Sequence, residues 1–567
     1  MSMRSKGAVA VWIAMAIGVS CFAAIALQPS ESAAQNATPL DQGWSDQRRE
    51  QFYFTPQGSR LVPYAWALAL EQPDSPERFF ADAHVARLGY LPAPASTMNP
   101  DALPVGFVKD TGAPGPNGPA LGLTCAACHT AEITYREKRL RIDGGASLGD
   151  FESFMRRLLA AFGATLGEPE KFERFARAVG SENPAALRTA VEAYAQRLSR
   201  LNAGNATATR YGHGRIDAFG HILNAVVADA LGRPDNIRPP DAPVSVPFLW
   251  TTTNQRFIQW NGVATNPYGR NVGEVMGVFG DTEVNLAAPL PVRSSSLGAN
   301  LFALESWVGE LKPPPWPADV FGAPDPQAAE KGKALYVAHC AGCHGGPAYR
   351  FTDQSVNPNR RLIDVRMVSQ RAVGTDPTMA DNFAGRMAAT GPAAPLFKGA
   401  PALPAVRLLA AIVGAAVFSD FEARGLSPAE RALYSGFRFT PSGQLESGWD
   451  EPAYKAGPLA GVWATGPFLH NGSVPTIYDL LSPEHERPTA FWVGSQSFDP
   501  EKLGFVSSDA DLPNAAAEGL SRFDVALPGN SNRGHVYPAK TEGVLSPEDR
   551  YALIAFLKTL EGPDGAR

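Results

Sequence analysis

The sequence predicts a mainly α-helical protein of two domains, with long loops and insertions between the helices. Three observations carry this expectation. The pattern Cys-x-x-Cys-His occurs twice, at Cys125-Ala-Ala-Cys128-His129 and at Cys340-Ala-Gly-Cys343-His344. Apolar residues recur at helical spacing over residues 147–162, 169–201, 328–337 and 546–560. The 50 prolines and 54 glycines among 567 residues predict long ordered loops around short helices.

The repeated motif carries the chemistry. Two thiols one helical turn apart can each form a thioether to the edge of a haem, and the histidine that follows presents imidazole to the iron. A zinc site would usually bring two Cys-x-x-Cys pairs without a histidine fixed after each. The two motifs take every cysteine except Cys21. Two covalently bound c-type haems are therefore expected, one on Cys125, Cys128 and His129, the other on Cys340, Cys343 and His344.

The length suggests two or more domains. Net charge is −6 and charged residues are 19%, with no basic run, so no nucleic acid is expected as a partner. A mildly acidic surface suits a small basic electron donor. Arg4 and Lys6 precede an apolar stretch, 7–27, and Ser32-Ala-Ala34 offers small residues for cleavage, as in a signal peptide. Export fits c-type haem, which bacteria attach outside the cytoplasm, so a periplasmic or secreted protein is expected. An uncleaved membrane anchor is the alternative.

In chain order, the signal peptide covers 1–34 and an N-terminal haem domain 35–312. Residues 41–52 suggest a short helix. Residues 77–88 suggest another, with Ser75-Pro76 as its cap. A glycine-rich loop over 111–122 leads to the first motif. Residues 147–162 form a helix, and 169–201 two more, separated by breakers near 180–184. Tyr211–Asn224 begins as a glycine loop and runs into a helix. A proline-rich linker, 313–327, separates the domains. The second domain, 328–567, opens with a glycine-bearing helix ending at Cys340, as small cytochrome c domains do. It closes with a helix capped by Ser546-Pro547, and such first and last helices cross in that fold. Two cytochrome c-like haem domains are thus expected.

His129 and His344 are the proximal iron ligands by the motif itself. Electron-transfer cytochromes often add a methionine, but none follows Met387. The stretch before the last helix holds His535, which is the expected distal ligand of the second haem, with Tyr537 and His470 as rivals. The first haem has no comparable partner: Met155, Met276, His213 and His221 lie in no recognisable ligand loop, which implies an open sixth position. His84 reads as a core or surface histidine. Arg215 could meet a haem propionate or pair with Asp217. Trp250 and Trp260 could wall a pocket or relay electrons, or be plain core.

The block Tyr454-Lys-Ala-Gly-Pro-Leu-Ala-Gly-Val-Trp-Ala-Thr-Gly-Pro-Phe-Leu-His-Asn-Gly-Ser-Val-Pro resembles one found in di-haem c-type enzymes of the bacterial cytochrome c peroxidase and MauG superfamily. Within it the chain most resembles the rubber oxygenases (RoxA-like), on Leu121–Thr130, Leu140-Arg-Ile-Asp-Gly-Gly-Ala146, Gly214-Arg-Ile-Asp-Ala218, Trp260-Asn-Gly262 and 270–280. The resemblance implies secreted enzymes that cleave polyisoprene with dioxygen at the N-terminal haem, beneath an apolar wall. It implies a His/His C-terminal haem, a tryptophan between the haems that Trp250 matches, and a distal phenylalanine for which Phe248 and Phe257 both qualify. It makes His535 the distal ligand and His470 a structural neighbour. The superfamily's peroxidases imply the alternative, hydrogen peroxide reduction fed by a small cytochrome. They use a distal glutamate, for which Glu274 is a candidate that nothing in the sequence points at the iron. A calcium ion between the domains is implied as a possibility, although no run of oxygen ligands marks it. A simple electron carrier is a further alternative. Gly457 stands where a basic residue is common, which removes a propionate contact.

Overall fold

The computed structural model describes residues 37–115, 118–264, 267–285, 287–353, 361–435, 451–538 and 543–562. The signal segment and Cys21 lie outside them. Among the described residues no helix is long and apolar enough to cross a membrane.

The fold corrects the mainly α expectation. Among the described residues the fold is 42% helical and 16% strand, and the strands form eight small sheets. Segments expected as loops pair as short ladders, some with strands far along the chain. The expected glycine loop before the first motif is an antiparallel pair, Phe107–Gly115 with Gly118–Leu123. After the motif, Thr130–Tyr135 pairs with Lys138–Asp143, and buried Glu132 faces Arg141 across the ladder. Ala37–Pro39 adds a parallel edge to the same sheet.

Helix ends follow their capping chemistry. Asp46–Phe54 starts at Ser45, whose side chain accepts from the Arg48 N–H. Phe151–Gly167 is capped by Asp150. Pro169–Val179 ends at Gly180 in the left-handed region, φ 72°, and Pro184–Gly204 restarts on an Asn183 cap. The helix expected over 77–88 is shorter, Asp82–Arg87. Residues 77–80 are instead held by a Glu71–Arg78 bridge, and Ser75 Oγ closes a turn on the Glu77 N–H at 3.1 Å.

Pro326–His339 and Pro547–Leu557 pack together near their glycine. A Cβ on Gly332 would lie 1.9 Å from the Ala552 carbonyl oxygen, so only glycine lets these backbones approach so closely. One hydrophobic core includes Trp44, Phe52, Trp250, Tyr336, Trp463 and Phe556, and so draws on both sides of the 313–327 segment. That segment is itself packed: Pro314 accepts the Trp463 indole N–H at 3.0 Å, and the Trp316 ring lies 5.3 Å from that of Trp463. A separate apolar cluster joins Ala405–Ala423 to Pro267–Gly277.

Candidate haem sites

The strand Gly118–Leu123 delivers the first motif, and Thr124 caps the short helix Cys125–Cys128. Gly106 permits close seating, since a Cβ there would lie 2.0 Å from the Ala127 nitrogen. Cys125 Sγ lies 3.3 Å from Gln57 Oε1. Burial, and then the charge of Glu274, push the Cys125 thiol up to about 12 and that of Cys128 up to about 11. Burial pushes His129 down to about 4, which keeps its imidazole neutral, the form that binds metal. Its Nδ1 is buried and without a hydrogen bond among the described residues, although the Pro247 carbonyl lies close enough to favour the charged ring.

Charged side chains gather beside this motif. Arg270 Nη2 lies 2.5 Å from Glu305 Oε2 and Arg270 Nε 3.7 Å from Glu274 Oε1. Gln259 donates to Glu274 at 3.4 Å. Glu305 Oε1 is buried without a hydrogen-bond partner among the described residues. Lys455 Nζ donates to Gln255 Oε1 at 2.7 Å. Burial, and then the Arg270 charge, push its ammonium down to about 7. A second cation beside Arg270 could receive an anionic group such as a haem carboxylate.

The histidines and methionines weighed for this site have partners of their own among the described residues. His84 Nδ1 lies 2.6 Å from the Phe79 carbonyl and its Nε2 accepts from Arg157 at 2.8 Å. His213 Nδ1 lies 2.8 Å from Ser521 Oγ, and His221 Nε2 3.3 Å from the Tyr211 hydroxyl. Met155 and Met276 are buried in two apolar clusters.

The second motif continues directly from Pro326–His339 through Cys340 into Ala341–His344. His344 Nδ1 donates to the Gly457 carbonyl at 2.9 Å, which fixes the tautomer and leaves Nε2 to face outward from that contact. The His535 ring faces it, with ring centroids 6.1 Å apart and planes at 61°. Imidazole–metal bonds of about 2 Å, with about 1 Å from each nitrogen to its ring centre, put two trans imidazoles roughly 6 Å apart. The pair fits a haem iron between them. A cavity against His344 is lined by Tyr349, Ile363, Val365 and Ala456, and the Tyr349 hydroxyl is buried without a hydrogen-bond partner among the described residues. Burial pushes His535 down to about 3 and His344 down as well. Of the rivals, Tyr537 stands beside His535 at 5.1 Å, while His470 stacks on Tyr454 at 4.0 Å.

Trp250 and Trp463 are the largest fully buried side chains among the described residues. The Trp250 indole N–H donates to the Ala460 carbonyl at 2.9 Å, and Phe248 stacks on Trp250 at 4.6 Å. Cys125 and Cys340 pack against the core to which Trp250 belongs. Phe257 instead packs with Ile363 and Val365, residues of the cavity at His344. Trp260 donates to the Ser245 carbonyl at 2.8 Å and packs near Tyr454. Arg215 does not pair with Asp217. It donates to the Tyr211 carbonyl at 2.9 Å and to Asn530 Oδ1 at 2.8 Å, while Asp217 accepts from the Gly220 and Ala242 N–H groups. Among the described residues no three His, Cys, Asp or Glu side chains cluster as a metal site.

The sequence reading missed Lys455, Tyr349 and the part Gly457 plays. A lysine inside the otherwise apolar strand Ala453–Ala456 was the available signal for the first. Gly457 contributes its carbonyl, which no side-chain pattern could reveal.

Residues 453–493 match a family described as RoxA-like, cytochrome c-like, which implies haem and points to haem-based oxidation–reduction. The matched stretch contains Lys455, Gly457 and His470. The chain is 34% identical over 591 residues to uncharacterized protein y4iJ of Sinorhizobium fredii (strain NBRC 101917 / NGR234), covering 94% of each chain. It is 28% identical over 338 residues to uncharacterized protein y4iM of the same strain, covering 57% of this chain and 66% of that one.

Proposed function

The chain belongs to the family of the y4iJ protein, and we propose that it is an exported di-haem c-type oxidoreductase with an oxygenase-like first site. One contrast carries this reading. His344 has a facing imidazole at 6.1 Å, whereas His84, His213 and His221 hydrogen-bond elsewhere and Met155 and Met276 sit in apolar clusters. When bound, a c-type haem supplies one-electron redox chemistry and, where its sixth position is open, a place for dioxygen or peroxide.

The protein's own residues divide the work. His344 and His535 hold a saturated site suited to passing electrons. His129 holds the reactive one. Trp250, buried in the core that both Cys125 and Cys340 touch, supports a coupling role between them, and Phe248 extends that aromatic surface.

A second reading has a specific observation in its favour. The Glu274 side chain is half-buried, its charge raises both first-motif thiols, and desolvation raises its own pKa. A carboxyl so placed can carry a proton at that site, as reduction of hydrogen peroxide by electrons from a small cytochrome requires.

Two assays of one holoprotein preparation separate these readings. Oxygen uptake with polyisoprene or small unsaturated hydrocarbons, without reductant and with carbonyl products, supports the oxygenase. Peroxide-dependent oxidation of a reduced cytochrome, without such uptake, supports the peroxidase. Neither activity, with both irons six-coordinate, would make the protein an electron carrier.

A further inference from the structure

His535 sits on an unusual piece of backbone. Both Gly534 and His535 lie in the left-handed region, φ 76° and φ 50°, which a residue with a side chain rarely adopts. A Cβ on Gly534 would lie 2.3 Å from the Gly374 carbonyl carbon, so the loop is pressed against a neighbouring turn. No helix or strand includes residues 530–538. Something else must hold this loop in register.

Arg487 does so. It is 3% exposed. Its Nη1 donates to the Asn532 and Gly534 carbonyls at 2.5 and 2.9 Å. Its Nη2 donates to the Leu480 carbonyl at 3.1 Å and the His535 carbonyl at 3.4 Å, and its Nε to the Ser482 carbonyl at 3.3 Å. All five donors of the planar fork meet carbonyl oxygens, and three of those belong to the His535 loop. Two contacts complete the clamp: the Gly534 N–H donates to Glu484 Oε1 at 2.7 Å, and the His535 N–H to the Val373 carbonyl at 2.8 Å.

We propose that Arg487 is the positioning residue for His535, holding its left-handed backbone so that the imidazole stands opposite His344. The inference rests on the reading of His344 and His535 as a ligand pair. A buried guanidinium bonded only to carbonyls is expensive to desolvate, and fixing a ligand loop is a role that lysine, with three donors and no planar fork, fills only in part.

The test uses the haem-loaded protein and compares Arg487→Met, Arg487→Lys and His535→Ala by electron paramagnetic resonance and redox titration. His535→Ala is expected to remove one low-spin signal entirely. Arg487→Met is expected to cut that signal by about half or more at unchanged haem content, with added imidazole restoring it, and Arg487→Lys to cut it less. Should Arg487→Met fail to accumulate, Arg487→Lys decides. A wild-type low-spin signal and potential in the folded arginine variants, alongside loss in His535→Ala, overturns the positioning role. No change in His535→Ala overturns the ligand pair itself.

Discussion

The imidazoles of His344 and His535 face each other at 6.1 Å, although 190 positions separate them in the chain. The Gly457 carbonyl orients the first ring and a left-handed backbone presents the second. His470, the competing histidine, is stacked on Tyr454. His470→Ala is therefore expected to lower stability while leaving the spin state of both haems unchanged, read by electron paramagnetic resonance beside a melting curve. Conversion of a haem to high spin in that variant would assign the distal position to His470.

Trp250→Phe removes the hydrogen bond to the Ala460 carbonyl and leaves that acceptor unpaired, at about 1–3 kcal/mol. Both haems and their ligation are expected to persist. Electron equilibration between the haems, followed after rapid reduction, is expected to slow by at least about tenfold. Unchanged kinetics would return Trp250 to ordinary core.

Glu274→Gln keeps the size of a half-buried side chain and removes its proton-carrying carboxyl. If the first site reduces peroxide, turnover is expected to fall by about 10²–10⁴, with both haems retained. If the site is oxygenase-like, oxygen uptake with an apolar substrate is expected to stay within a few-fold. The paired assays therefore read the two functional proposals through one residue.

Much of the helical framework was legible in the sequence because caps and breakers are local. Ser546 and Asp549 form a capping box, and Gly180 and Pro184 mark a helix end and a helix start. His535 could be singled out by its place before the last helix. The strands were not legible, since ladders such as Ala37–Pro39 with Lys138–Asp143 join short segments far apart in sequence. Arg487 was hidden for the same reason: its acceptor Asn532 lies 45 residues away. Glu274 could be named from the sequence, but only folding brings it to the first motif.

Gly332→Ala tests the helix crossing. The added methyl would meet the Ala552 carbonyl oxygen, so the Pro326–His339 and Pro547–Leu557 helices must separate. A loss of about 1–3 kcal/mol or more is expected, measured as a lowered denaturation midpoint. Wild-type stability would mean that the two backbones are farther apart.

Asp217 provides a pH test away from the haem motifs. Burial raises its carboxyl to about 6 from an ordinary 3.8, against two backbone N–H donors that lower it. Between these values the folded protein holds a proton that the unfolded chain has released. Stability from this group therefore falls as pH rises through that window, by about 1.4 kcal/mol per pH unit. Melting midpoints of wild type relative to Asp217→Asn are expected to decline from pH 4 to 6 and then level. A flat difference would place the carboxyl in a more solvated setting.

The central claim is that two unlike haems share this chain, one saturated by His344 and His535 and one open above His129. Electron paramagnetic resonance of the resting holoprotein, with haem counted as the pyridine haemochrome, tests it most directly. Two covalent haems per chain are predicted, one low-spin with two histidine ligands and one high-spin. Two low-spin six-coordinate irons, or zinc in place of haem, would contradict it.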